Sequence, residues 1–171
     1  MAEILALTKN ELIASFRNES RILLHLAGKI DSSYLDFRPT PGQRSTIELL
    51  RFLSVNVPGL SRVVRTGKFD PEAWASILNS VHGAGLDETV AAIQKQGTEY
   101  TEFLSGLSEA DFRSDIEVNG NRSSRGAFIV NTGLCGAAAY RMQLFLYLKA
   151  CGRHELNTMN LWAGVDPPGQ S

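Results

Sequence analysis

The chain of 171 residues is short of cysteine, histidine, net charge and long apolar runs, and each shortage removes a class of function. It has two cysteines, Cys135 and Cys151, both in a stretch read below as one helix. At a rise of 1.5 Å per residue they stand about 24 Å apart, beyond disulfide reach, so free thiols and a reducing compartment are expected. A formal net charge of −1 supplies no basic field for phosphate backbones, which argues against nucleic-acid binding. The longest apolar run, Leu144 to Leu148, is flanked by Arg141, Gln143 and Lys149 and is too short to span a bilayer. Met1 to Leu12 lacks the long apolar core and small-residue cleavage pattern of a secretory signal. A cytoplasmic protein with no membrane contact is expected. The three histidines, His25, His82 and His154, include no two at ligand spacing on a common helix, so they predict no metal site.

What is present is ordinary globular composition, 43% hydrophobic and 20% charged, in a length that suits one domain over residues 1–171. Leu12, Phe16, Leu23, Leu26 and Ile30 recur at helical spacing, predicting a first helix over 9–32 that stops near Asp31, Ser32 and Ser33. Thr8 and Glu11 form a capping-box pair at its start. Prolines 39 and 41 with Gly42 force an extended connection. Ser45 and Glu48 cap a second helix through Ile47, Leu50, Leu53 and Val57, which Pro58-Gly59 should end or kink. Asp70-Pro71 opens a short helix of one or two turns, and Leu86, Val90, Ile93 and Tyr100 mark a long one ending at Gly106. Alternation over Asp115 to Val118 and the Asn119-Gly120 turn signal predict a small hairpin or irregular loop. Ser123 or Ser124 then caps a last helix from about Arg125 to Cys151, ending at Gly152. These elements predict an all-α four-helix bundle with one crossover connection.

Two segments carry a family resemblance. LDFRPTPGQRSTIELLRFLS (Leu35 to Ser54) and AYRMQLFLYLKACG (Ala139 to Gly152) resemble the junction of helices 1 and 2 and the last helix of the DinB and YfiT-like metal-dependent bundle family, with Arg141, Gln143, Leu144, Tyr147 and Leu148 keeping its frame. The resemblance implies a bundle fold and a site of three histidines used in metal-dependent thiol transfer or hydrolysis. Carried over by position, those histidines fall on Phe52, Gly136 and Tyr140. A divalent cation needs donor atoms; phenylalanine and glycine offer none, and a tyrosine with a pKa near ~10 is a poor ligand at neutral pH. No metal and no cofactor are expected.

Two uses of that volume stay open. Phe52 and Tyr140 pack it shut, which dense core packing favours. Otherwise Gly133 and Gly136 leave room opposite Phe52 for a small apolar ligand, rimmed by the Tyr140 and Tyr147 hydroxyls and bordered by Gln143. Cys135, beside Gly136, is read as a small, inert core residue. Arg113, Arg122 and Arg125 gather around the hairpin but need not clamp an anion. The last helix is apolar or small on nearly every face. Gly133, Gly136 and Ala137 to Ala139 therefore predict either a homodimer contact or cover by the C-terminal tail, 153–171. In that tail Met159, Leu161 and Trp162 should pack back on the bundle, with Pro167-Pro168 ending order. The resulting expectation is a metal-free, non-catalytic, dimeric binding or interaction module. The alternatives are a metal-dependent thiol transferase or hydrolase and a small-molecule-binding bundle.

Overall fold

The computed structural model describes residues 7–169. Met1 to Ala6, which hold half of the stretch read as lacking a secretory signal, lie outside the described residues. Helix α1 spans Lys9–Ala27, and its cap forms as the sequence requires: the Thr8 hydroxyl accepts from the Glu11 N–H while the Glu11 carboxylate accepts from the Thr8 N–H at 2.8 Å. The helix stops four residues before the predicted Asp31. Gly28 closes on the Leu24 carbonyl, Lys29 and Ile30 tighten onto Leu26 and Ala27, and Asp31 caps a separate 3-10 turn, Ser32–Tyr34.

The connection through prolines 39 and 41 crosses the bundle, held by Arg38 in a two-pronged pair with Glu48 at 2.6 and 2.7 Å. Glu48 also completes the Ser45 capping box of α2, Thr46–Leu53. Here the structure corrects the reading of Pro58. The helix breaks at Ser54-Val55, because Pro58 has no N–H to offer the Ser54 carbonyl, and the chain restarts as α3, Asn56–Thr66, with Pro58 in its first turn. Helix α4, Pro71–Asn79, begins at the Asp70 cap; α5 runs Leu86–Ser105 to Gly106; α6 is the short Glu109–Arg113.

Strands β1, Asp115–Val118, and β2, Asn121–Ser124, pair antiparallel with Ile116 opposite Ser123 and Val118 opposite Asn121. Both turn residues have positive φ, 52° at Asn119 and 76° at Gly120, the geometry that favours Asn-Gly in two-residue hairpins. Ser124 then caps a long helix built in three pieces: α7, Arg125–Phe128; a wide π segment, Ile129–Leu134; and α8, Cys135–Ala150. The π segment is absent from the sequence expectation.

Helices α1 and α2 each pack on both α5 and α8, which puts α1 and α2 diagonally across the bundle and explains the long crossover between them. The core has two halves. Leu23, Leu26, Leu49, Leu53, Ile93 and Leu148 fill one; Leu12, Phe16, Leu60, Tyr100, Phe103 and Ile129 fill the other. The tail turns back at Gly152 and lies against α1 and α8, burying Leu156 and Leu161. Arg141, only 5% exposed, binds Glu19 at 2.7 Å and donates to the Leu161 carbonyl. Contrary to expectation Met159 and Trp162 stay outward, the latter 67% exposed with one ring face near the Arg141 guanidinium. Among the described residues no helix is long and apolar enough to cross a membrane.

Candidate functional site

The site grows from a close approach between α3 and α4. Trp74 of α4 lies so near the Gly59 backbone that any β-carbon there would collide with the indole ring. The Pro58-Gly59 pair is thus a seat for Trp74 as well as a helix start. Trp74 meets Phe52 of α2 edge-on, ring centroids 5.8 Å apart, and Phe52 meets Tyr140 of α8 at 4.8 Å. These three rings form an aromatic corner.

Beside the corner opens a cavity of about 750 Å³. Asn56, Leu60 and Val63 of α3 line one side, and Val118, Asn119, Asn121, Arg122 and Ser123 of the hairpin line another. Phe128, Asn131, Thr132, Gly133, Gly136 and Tyr140 of the long helix complete it. The π segment makes this possible, since its wide turn turns three successive residues, Asn131 to Gly133, toward one space. Gly133 itself is buried against Leu60 and Phe16, whereas Gly136 has open space where a side chain would stand.

Of the five residues singled out in the sequence, Phe52, Gly136 and Tyr140 line this cavity and Gln143 and Tyr147 do not. Tyr147 is buried two turns beyond Tyr140. Its hydroxyl donates to the Arg44 carbonyl at 2.9 Å and accepts from the Gln143 amide at 2.5 Å, so neither group rims the space. Asn56, Asn131, Thr132 and Trp74 were not singled out, because amides and a tryptophan on separate elements leave no local pattern.

The electrostatics of the cavity are bland. Among the described residues no Asp, Glu, His, Cys or Lys lines it, and the one charged group of that lining, Arg122, is paired with Asp115 at 2.5 Å, which holds the guanidinium pKa above its ordinary value. The three loop arginines do not converge. Arg125 is taken up by the Val64 and Asp115 carbonyls and the Ser114 hydroxyl, while Arg113 lies exposed outside the cavity. Cys135 is exposed and not a core residue, since it shares the outward face of α8 with Ala139 and Met142; Cys151 is half-buried, and burial raises its thiol pKa.

A search of solved structures finds this architecture in the crystal structure of a DinB-like protein, YjoA, from Bacillus subtilis, with a TM-score of 0.65 over 86% of this chain and 96% of that one, at 17% identity. The fold is DinB-like. No protein-family model matches the chain, and no curated protein matches it.

The three positions on which the sequence resemblance places the family's histidines do not fit a metal. Phe52 and Tyr140 are in ring contact, Gly136 offers no donor, and the Arg44 guanidinium sits 4.1 Å over the Phe52 ring, placing positive charge where a cation would have to approach. Among the described residues no three His, Cys, Asp or Glu side chains gather as a ligand set.

Proposed function

We propose that this DinB-like bundle binds a small, largely apolar molecule in the cavity beside Phe52, Gly136 and Tyr140, without metal and without catalysis. The observation that carries this reading is the lining itself. It joins an aromatic corner to neutral amides and hydroxyls, the composition of a ligand pocket, and its volume falls in the usual range of about 300–1,000 Å³. General acid–base chemistry draws most often on His, Asp, Glu, Lys or Cys, and among the described residues none of these lines the cavity.

Gly136 makes the test clean. Because a β-carbon at Gly136 meets nothing within 4 Å and the residue lines the cavity, Gly136→Leu should occupy cavity volume while improving helix propensity. The neutral fluorophore N-phenyl-1-naphthylamine should bind the native protein saturably at one per chain. Gly136→Leu should weaken that binding at least tenfold with no loss of melting temperature. Absence of saturable binding, or equal binding by the variant, refutes the reading. Calorimetric titration of the chelator-stripped protein with zinc or nickel should show no one-equivalent site; tight binding would return the metal-dependent alternative.

The outward face of α8 supports a second reading, association of two copies. Cys135, Ala139, Met142, Leu146 and Ala150 form an exposed stripe at helical spacing, with Leu146 55% exposed. The tail covers the opposite side, and Gly133 faces inward and takes no part. Light scattering should give twice 18.7 kDa for the native chain and 18.7 kDa for Leu146→Glu; a native mass of one chain ends this reading.

A further inference from the structure

We propose that the occupant of the cavity is an uncharged, planar heteroaromatic ring of nucleobase type, stacked on the aromatic corner and read along its edge by the Asn56 and Asn131 amides. The proposal rests on the reading of this cavity as a ligand pocket and narrows it to one chemistry. Three features of the lining select it.

The first is the pairing of rings with carboxamides. Trp74, Phe52 and Tyr140 meet edge to face, at interplanar angles of 84° and 62°, so a planar ring entering the corner can stack on one ring face with its edge against the next, and stacking tolerates many ring identities. Each carboxamide offers donors and an acceptor on one planar group, the complement of a lactam or amidine edge.

The second is that these amides are free to act. Among the described residues the side chains of Asn56, Asn131 and Thr132 are seen in no hydrogen bond, although each lines the cavity. An aliphatic occupant would take them from water and return nothing, which penalises it; a ring with polar edges would not.

The third is charge. Arg122, the one charged residue of the lining, already serves Asp115. The Arg44 guanidinium lies over the Phe52 ring and outside the lining, and among the described residues no carboxylate lines the cavity to meet an ammonium, so within the cavity a free base or nucleoside is favoured over a nucleotide.

The chain has two tryptophans, and Trp162 lies outside the cavity, so in a Trp162→Phe background Trp74 alone reports. Adenosine, guanosine, cytidine and uridine are titrated against this protein by Trp74 quenching and by displacement of N-phenyl-1-naphthylamine. At least one nucleoside should quench saturably and displace the fluorophore, and its 5′-monophosphate should bind at least tenfold more weakly. Asn56→Leu and Asn131→Leu should each raise its Kd about tenfold, the loss of one hydrogen bond at roughly 1.4 kcal/mol per decade. Both variants should keep the far-UV circular dichroism and cooperative thermal transition of the native chain, which shows that they are folded. If the fluorophore or 1-decanol binds and no nucleoside competes, the heteroaromatic assignment fails while the pocket stands. If neither binds, both fail. A monophosphate that binds as tightly as its nucleoside overturns the uncharged assignment.

Discussion

At Gly133 a β-carbon would come within 2.6 Å of Leu60 and 3.0 Å of Phe16, both packed in the core, whereas at Gly136, one turn along the same helix, it would meet nothing. Two alanine substitutions therefore part company. Gly133→Ala should cost about 1–3 kcal/mol through overpacking, and Gly136→Ala should be neutral or gain up to about 1 kcal/mol from helix propensity, both read as shifts of the denaturant midpoint. Tyr100 supplies a different case. Its ring stacks on Phe16 at 3.9 Å, its hydroxyl is buried with no partner among the described residues, and burial pushes its pKa up. Removing a buried, unsatisfied hydroxyl relieves a desolvation cost, so Tyr100→Phe should hold or raise stability, by about 1 kcal/mol or less. A loss above that value would show that the hydroxyl is satisfied in solution.

At the scale of elements, what was legible in the sequence was local. Thr8 with Glu11, Ser45 with Glu48, Asp70-Pro71 and Asn119-Gly120 each carry their physics within four residues, and each stands where the pattern placed it. The end of α1 and the break before Pro58 were misplaced because the decisive bonds involve carbonyls several residues upstream of the visible signal. Of the site, Phe52, Gly136 and Tyr140 could be named through resemblance, but Trp74, Asn56 and Asn131 could not, since only tertiary packing brings α3, α4 and the π segment together. The π segment is the hardest to read, because one extra residue in a turn leaves apolar spacing nearly unchanged. Deleting Thr132 tests its role. The shortened helix should close into continuous α register with α7 and α8 kept in place, which removes the wide turn that presents Asn131 to Gly133 to the cavity. Far-UV circular dichroism should stay helical while fluorophore binding is lost; retained binding would mean that the wide turn does not shape the cavity.

For the molecule as a whole, the tail is held by charge as much as by apolar contact. Arg21 grips the Ala163 and Gly164 carbonyls, Lys29 pairs with Asp166 at 2.6 Å, and His25 lies 3.1 Å from the Asn160 amide and 3.7 Å from Asp166. Burial lowers the His25 pKa below 6.5, with Lys29 and Arg21 adding to the effect and Asp166 opposing it. A base whose pKa is lower folded than unfolded binds more protons when unfolded. Its contribution is thus fully present above about pH 6.5 and is lost as pH falls toward and through the folded value. The native chain should lose more stability between pH 7.5 and 5.5 than His25→Gln, as read from urea midpoints; equal losses would mean that His25 does not titrate against the tail.

The same architecture divides labour along the chain. Residues that hold the bundle together are spread over α1, α2, α3, α5, α6 and the long last helix, while a whole wall of the cavity comes from the single hairpin between Ser114 and Arg125. Folding is therefore a distributed property and recognition is partly a contiguous one. A lineage carrying this scaffold can exchange what it recognises by rewriting one short cassette while every core contact of the bundle is inherited intact.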